Sequence, residues 1–127
     1  MRLEHVNFTV SDVDRSVAFY RDLLELKLRW RGKTADGREA AHVGDDQMYL
    51  ALFEAAPKDA ADATPGDSRG EPDYGRVGLN HIGFVVDDLA VMKRRLADVG
   101  ITPHFEPVYE PGRRLYFFDR DGIEVEL

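Results

Sequence analysis

Two histidines, His5 and His81, occupy matching places in a sequence that repeats itself, and the segment Ile123-Glu124-Val125-Glu126-Leu127 adds two carboxylates at a spacing of two. Two neutral imidazoles and one carboxylate are the donor set that a divalent ion of the zinc, iron, manganese or nickel type takes from a protein, and three protein ligands leave positions open for substrate or oxygen. Each of these residues taken singly reads as an ordinary, partly exposed strand residue. Their duplication argues for metal, because imidazoles at equivalent strand positions need a shared cause and an enclosed strand face is a poor place for unpaired ones.

The repeat overlays Leu3-Glu4-His5-Val6-Asn7-Phe8-Thr9-Val10-Ser11-Asp12 on Leu79-Asn80-His81-Ile82-Gly83-Phe84-Val85-Val86-Asp87-Asp88. Both stretches alternate as half-buried strands do, with Val6, Phe8 and Val10 (then Ile82, Phe84 and Val86) on one face and the histidines on the other. Ser11 or Asp12 is placed to cap a helix striped by Val13, Val17, Tyr20 and Leu24. Asp87 or Asp88 is placed to cap another, striped by Leu89, Met92, Leu96 and Val99 and stopped at Gly100. Three shorter strands follow each helix, separated by turn residues at Asp36-Gly37, Gly44-Asp45-Asp46, Pro111-Gly112 and Asp119 to Gly122. The expected architecture is α+β: two βαβββ modules forming curved mixed sheets with helices outside, residues 1–54 and 77–127 of one domain. Residues 55–76, rich in Ala, Pro, Gly and Asp, form a linker. In the last segment Glu124 and Glu126 share a face, which brings carboxylates to the histidine side.

Composition bounds the function. At 127 residues the chain is one domain in size, and with 43% hydrophobic and 32% charged residues it is globular. A formal charge of -7 disfavours nucleic acid, and no apolar run reaches bilayer length. Cysteine is absent, which excludes disulfides and thiolate metal sites. The start Met1-Arg2-Leu3-Glu4 lacks a secretory core, so a cytoplasmic location is expected.

These features together resemble the vicinal oxygen chelate superfamily of glyoxalase I, extradiol dioxygenases, fosfomycin-resistance proteins and bleomycin-binding proteins. The resemblance is carried by His5-Val-Asn-Phe-Thr-Val-Ser-Asp, Ser16-Val17-Ala18-Phe19-Tyr20-Arg21-Asp22, Leu79-Asn80-His81-Ile82-Gly83-Phe84, and Tyr116-Phe117-Phe118-Asp119-Arg120-Asp121-Gly122 through Glu126-Leu127. It implies metal ligands at His5, His81 and Glu126, the last lying four residues past the glycine of an Asp-Pro-Asp-Gly turn in which Arg120 here replaces proline; Glu124 on the same face is the fallback.

The resemblance also implies a fourth carboxylate or amide in module one, as in glyoxalase I. Superposing the modules' last strands puts Ala51 there, so glyoxalase I activity is not expected. What remains is a three-ligand site like those of extradiol dioxygenases and fosfomycin-resistance transferases, with iron, manganese, nickel or zinc as the ion. Tyr116 stands ten residues before Glu126, where fosfomycin-resistance proteins place a substrate-contacting tyrosine, and Asn7 shares the face of His5. Arg113-Arg114 reads as solvated surface, His42 and His104 as exposed or hydrogen-bonded residues without a repeat partner, and Trp30 as cavity lining or core closure. The implied function is a metal-dependent dioxygenase, lyase or transferase acting on a small oxygenated molecule. The alternative is a metal-free drug-binding protein of the bleomycin-resistance kind, and a homodimer is implied in either case.

Overall fold

The computed structural model describes residues 1–56, 74–75, 77–109 and 112–127. The chain divides into two compact units, Met1–Thr64 and Pro65–Leu127, and each contains one βα opening of the repeat.

In the first unit β1 (His5–Val10) leads into α1 (Val13–Leu24), followed by β2 (Lys27–Lys33), β3 (Glu39–Gly44) and β4 (Tyr49–Glu54). They form one mixed sheet in the order β1-β4-β3-β2, with β1 parallel to β4 and the remaining pairs antiparallel. Alternation decides the faces: Phe8 and Val10 are buried and His5, Asn7 and Thr9 exposed. Asp12 caps α1 through its side chain, which accepts from the Arg15 N–H at 2.9 Å. The buried stripe of α1 is Val13, Ser16, Val17, Tyr20 and Leu23, against Val43, Leu50 and Leu52 of the sheet. Leu24, expected in that stripe, is only half-buried, because Leu23 lies three residues past Tyr20 and so takes the inward position. Each fully buried side chain such as Leu50 or Leu52 contributes about 1.5–3 kcal/mol of transfer free energy.

In the second unit β5 (His81–Gly83) precedes α2 (Leu89–Asp98), β6 (Val108–Tyr109), β7 (Gly112–Arg113), β8 (Tyr116–Phe118) and β9 (Glu124–Glu126). Asp88 caps α2 by accepting from Ala90 and Val91, and Gly100 takes the left-handed conformation (φ 76°) past its end. Met92 and Leu96 are buried with Leu115, Phe117, Val125 and Leu127, whereas Leu89 and Val99 are half-buried. The sheet order β5-β9-β8 repeats the first unit's β1-β4-β3, with the same parallel and antiparallel pairings. The edge strand differs from expectation. The counterpart of β2 is reduced to a single antiparallel bridge between Phe105 and Tyr116, with β6 and β7 forming a separate two-stranded ribbon. Pro103 and Pro107 flank that bridge and cannot donate ladder hydrogen bonds, which accounts for the shortened strand.

Of the expected linker, residues 57–73 and 76 lie outside the described set, as does Pro111 of the expected Pro111-Gly112 turn. Ala55 prolongs the sheet, its N–H donating to the Val10 carbonyl at 2.9 Å. No helix among the described residues is long and apolar enough to cross a membrane.

Candidate metal centre

The second unit builds its polar face from a tight turn. Asp119, a buried carboxylate, accepts from the N–H groups of Asp121 and Ile123 at 2.9 Å each, and Gly122 supplies the positive φ (81°) that reverses the chain into β9. Strand register then assembles the face: His81 lies opposite Glu124, Gly83 and Tyr116 opposite Glu126, and Phe118 opposite Glu124. Val125, between the two glutamates, points to the core and is fully buried.

On this face His81 Nε2 is 3.0 Å from Glu126 Oε2, and Arg114 Nε donates to the other oxygen, Oε1, at 2.8 Å. Tyr116 sits edge-on to the His81 ring, with centroids 5.5 Å apart at 87°. Behind His81, the Tyr74 hydroxyl is 3.0 Å from Nδ1 and donates to Glu124 Oε2, while His104 Nε2 is 2.9 Å from Glu124 Oε1. Glu124 is only 4% exposed, buried on the middle strand of its sheet rather than partly open to solvent. A cavity of about 640 Å³ opens beside Glu126, lined among others by Gly83, Phe84, Leu89, Arg113 and Arg114. That volume falls within the range of small-molecule sites.

Among the described residues, no group of three or more His, Cys, Asp or Glu side chains is arranged to hold a metal ion. His81 and Glu126 nevertheless fit two of an ion's positions. Two donors about 2.1 Å from one ion and at right angles to each other are separated by about 3.0 Å, which is the spacing observed between His81 Nε2 and Glu126 Oε2.

The first unit carries the matching face. His5 stacks on Tyr49 (4.9 Å, 17°), Tyr49 on His42 (4.5 Å, 29°), and His42 packs against Trp30 (4.9 Å). Arg29 lies over the Tyr49 ring at 5.0 Å, and His5 Nδ1 is 2.9 Å from Glu4 Oε2. Asn7, opposite Ala51 in the ladder, donates its side-chain N–H to the Ala51 carbonyl at 3.0 Å. His42 is held below its ordinary pKa, first by burial and then by electrostatic repulsion from its neighbours His5 and Arg29. The two registers put His5 with His81, Asn7 with Gly83, Ala51 with Glu126, Tyr49 with Glu124 and His42 with Tyr116. Ala51 thus occupies the place that Glu126 has in the other unit. Glu54 does not substitute: it lies outside the His5 set and accepts from the Glu39 N–H.

Sequence reasoning placed His81, Glu126 and Tyr116 together, and the structure brings them together. Arg114, read as solvated surface, is instead paired with Glu126, and His104, read as exposed or hydrogen-bonded, is hydrogen-bonded to the site's second carboxylate. Sequence reasoning overlooked His42 and Trp30 as members of the His5 row. For Arg114 the available signal was parity: it stands two residues before Tyr116, on the same side of an extended chain.

Comparison with known proteins agrees with this build. The family model of the Glyoxalase/Bleomycin resistance protein/Dioxygenase superfamily matches residues 2–127. The chain is similar to glutathione transferase FosA of Serratia marcescens, with 30% identity over 127 residues covering 98% of this chain and 78% of that protein. In structure it is similar to a glyoxylase/bleomycin resistance protein/dioxygenase domain from Frankia sp. EAN1pec, with TM-score 0.76 and 28% identity over 99% of this chain and 94% of the other. It also has the fold of a mutant of the fosfomycin resistance protein FosX from Listeria monocytogenes, complexed with Mn(II) and 1S,2S-dihydroxypropylphosphonic acid, with TM-score 0.72 and 21% identity over 99% and 90% of the two chains. The chain belongs to the glyoxalase/bleomycin resistance protein/dioxygenase superfamily.

Proposed function

We propose that this chain is a metal-dependent enzyme acting on a small substrate through adjacent oxygen atoms, with His5, His81 and Glu126 as the protein's donors. The observation that carries the reading is the His81–Glu126 pair, whose 3.0 Å spacing suits two neighbouring ligands of one ion. Arg114 holds the second oxygen of Glu126 and leaves the first directed at His81. The Tyr116 ring restricts rotation of His81.

A bound iron, manganese, nickel or zinc ion would supply Lewis acidity towards the substrate's oxygens or activate dioxygen. The cavity beside Glu126 has Arg113 and Arg114 in its wall together with Asp87 and Asp88, a mixed-charge lining that suits a small polar molecule. Asn7 and Tyr116 are the proposed substrate contacts, and a cytoplasmic homodimer is the proposed working form. With Ala51 where a carboxylate would stand, a base for glyoxalase-type isomerisation is missing from the first unit's face.

The test is a panel on protein reconstituted separately with Fe(II), Mn(II), Ni(II) and Zn(II). The assays are catechol ring cleavage, glutathione addition to fosfomycin, and isomerisation of the methylglyoxal–glutathione hemithioacetal. Chelator-sensitive turnover is expected in the first or second assay and none in the third. Turnover in the third, or turnover indifferent to chelator, contradicts the proposal.

A further inference from the structure

Glu124 has a role that the donor set leaves unassigned. It is a carboxylate with a side chain 5% exposed, aligned in the ladder with His81, and both of its oxygens are engaged within the second unit. Oε2 accepts from the Tyr74 hydroxyl and lies 3.8 Å from His81 Nδ1, while Oε1 is 2.9 Å from His104 Nε2. The His104 ring is itself fixed by stacking on Phe118, at 4.4 Å and 9°. Because the Tyr74 hydroxyl donates to Glu124, its oxygen is left to accept from His81 Nδ1, 3.0 Å away.

We propose that Tyr74, Glu124 and His104 form a positioning chain that holds the proton of His81 on Nδ1 and so presents Nε2, beside Glu126, as the ligating nitrogen. The proposal rests on the metal-site reading given above. Imidazole has two nitrogens, and the partner of one fixes which is available at the other. A carboxylate reached through a hydroxyl also makes the imidazole a stronger donor, and loss of such an outer partner typically weakens metal binding about 10- to 100-fold. None of the three residues touches the ion's positions; they act through His81.

The test compares wild type with Tyr74→Phe, which removes only the hydroxyl, and Glu124→Gln, which keeps the side chain's shape. Zn(II) and Mn(II) affinities are measured by competition with a chelating dye, and thermal midpoints of the metal-free proteins are recorded alongside. Glu106→Gln, which breaks the surface pair with Lys93, serves as the control. Both chain variants are expected to bind metal about 10- to 100-fold more weakly, and the control to bind as wild type does. In the Zn(II)-loaded wild type the His81 Nδ1 proton is expected to be protected from solvent exchange and visible in long-range nitrogen–proton spectra. In Tyr74→Phe that protection is lost while the Ile82 amide is unchanged, a pattern that general loosening would not produce. If wild type binds the ions and both variants bind equally well with the Nδ1 proton still protected, the positioning chain is wrong and the metal reading stands. If wild type takes up neither ion, the metal reading fails and this proposal fails with it.

Discussion

At the scale of single residues, the chemistry rests on which side chains strand parity places together. His81 and Glu126 were legible from the sequence because one is duplicated and the other follows a recognisable turn. Arg114 and His104 were not, since their roles depend on cross-strand register and on where an irregular segment returns to the sheet. His42 gives a prediction at this scale. Its folded-state pKa lies below the ordinary 6.5, so the unfolded chain takes up the proton first. Its contribution to stability is therefore complete above about pH 6.5 and is lost as pH falls through the folded value below it. Urea melts between about pH 8 and pH 5 should show wild type losing stability on acidification, shallowly because the ring is partly open to water, and His42→Gln losing less. Parallel pH profiles for the two proteins would contradict the assignment.

At the scale of elements, caps and turns were read more securely than strand lengths. Asp12, Asp88, Gly100 and Gly122 sit where local physics requires them, and each does so in the structure. The edge strand of the second half failed because prolines at 103 and 107 remove the donors a ladder needs. The Asp119 turn matters most for the site, because it sets the register of β9 and with it the direction of Glu126. Asp119→Ala removes an acceptor used by two backbone N–H groups and should cost about 2 kcal/mol in denaturant unfolding. It should also weaken metal binding. A variant as stable as wild type would mean the turn is held by Gly122 and the strands alone.

At the scale of the molecule, the sequence repeat maps onto two units that share the order of three strands and the same βα opening. Duplication of the fold was therefore visible in advance. The asymmetry between the copies was visible only in part: Ala51 against Glu126 could be aligned, whereas Tyr49 against Glu124 and His42 against Tyr116 required the ladder registers. One unit thus presents an aromatic and imidazole row, and the other the carboxylates. The proposed working form is a homodimer, so sedimentation equilibrium should return about twice the 14.4 kDa chain mass. A monomer at every concentration would remove that part of the proposal and leave the donor assignment intact.

The proposed function turns on an ion held by His81 and Glu126 with His5. The most direct measurement is elemental analysis of wild type purified without chelator, beside folded His5→Ala, His81→Ala and Glu126→Ala variants checked by circular dichroism. Near-stoichiometric iron, manganese, nickel or zinc in wild type, with loss from each variant, is the predicted result. Metal retained by folded His81→Ala and Glu126→Ala, or a wild type that takes up none of the four ions on reconstitution, would contradict it.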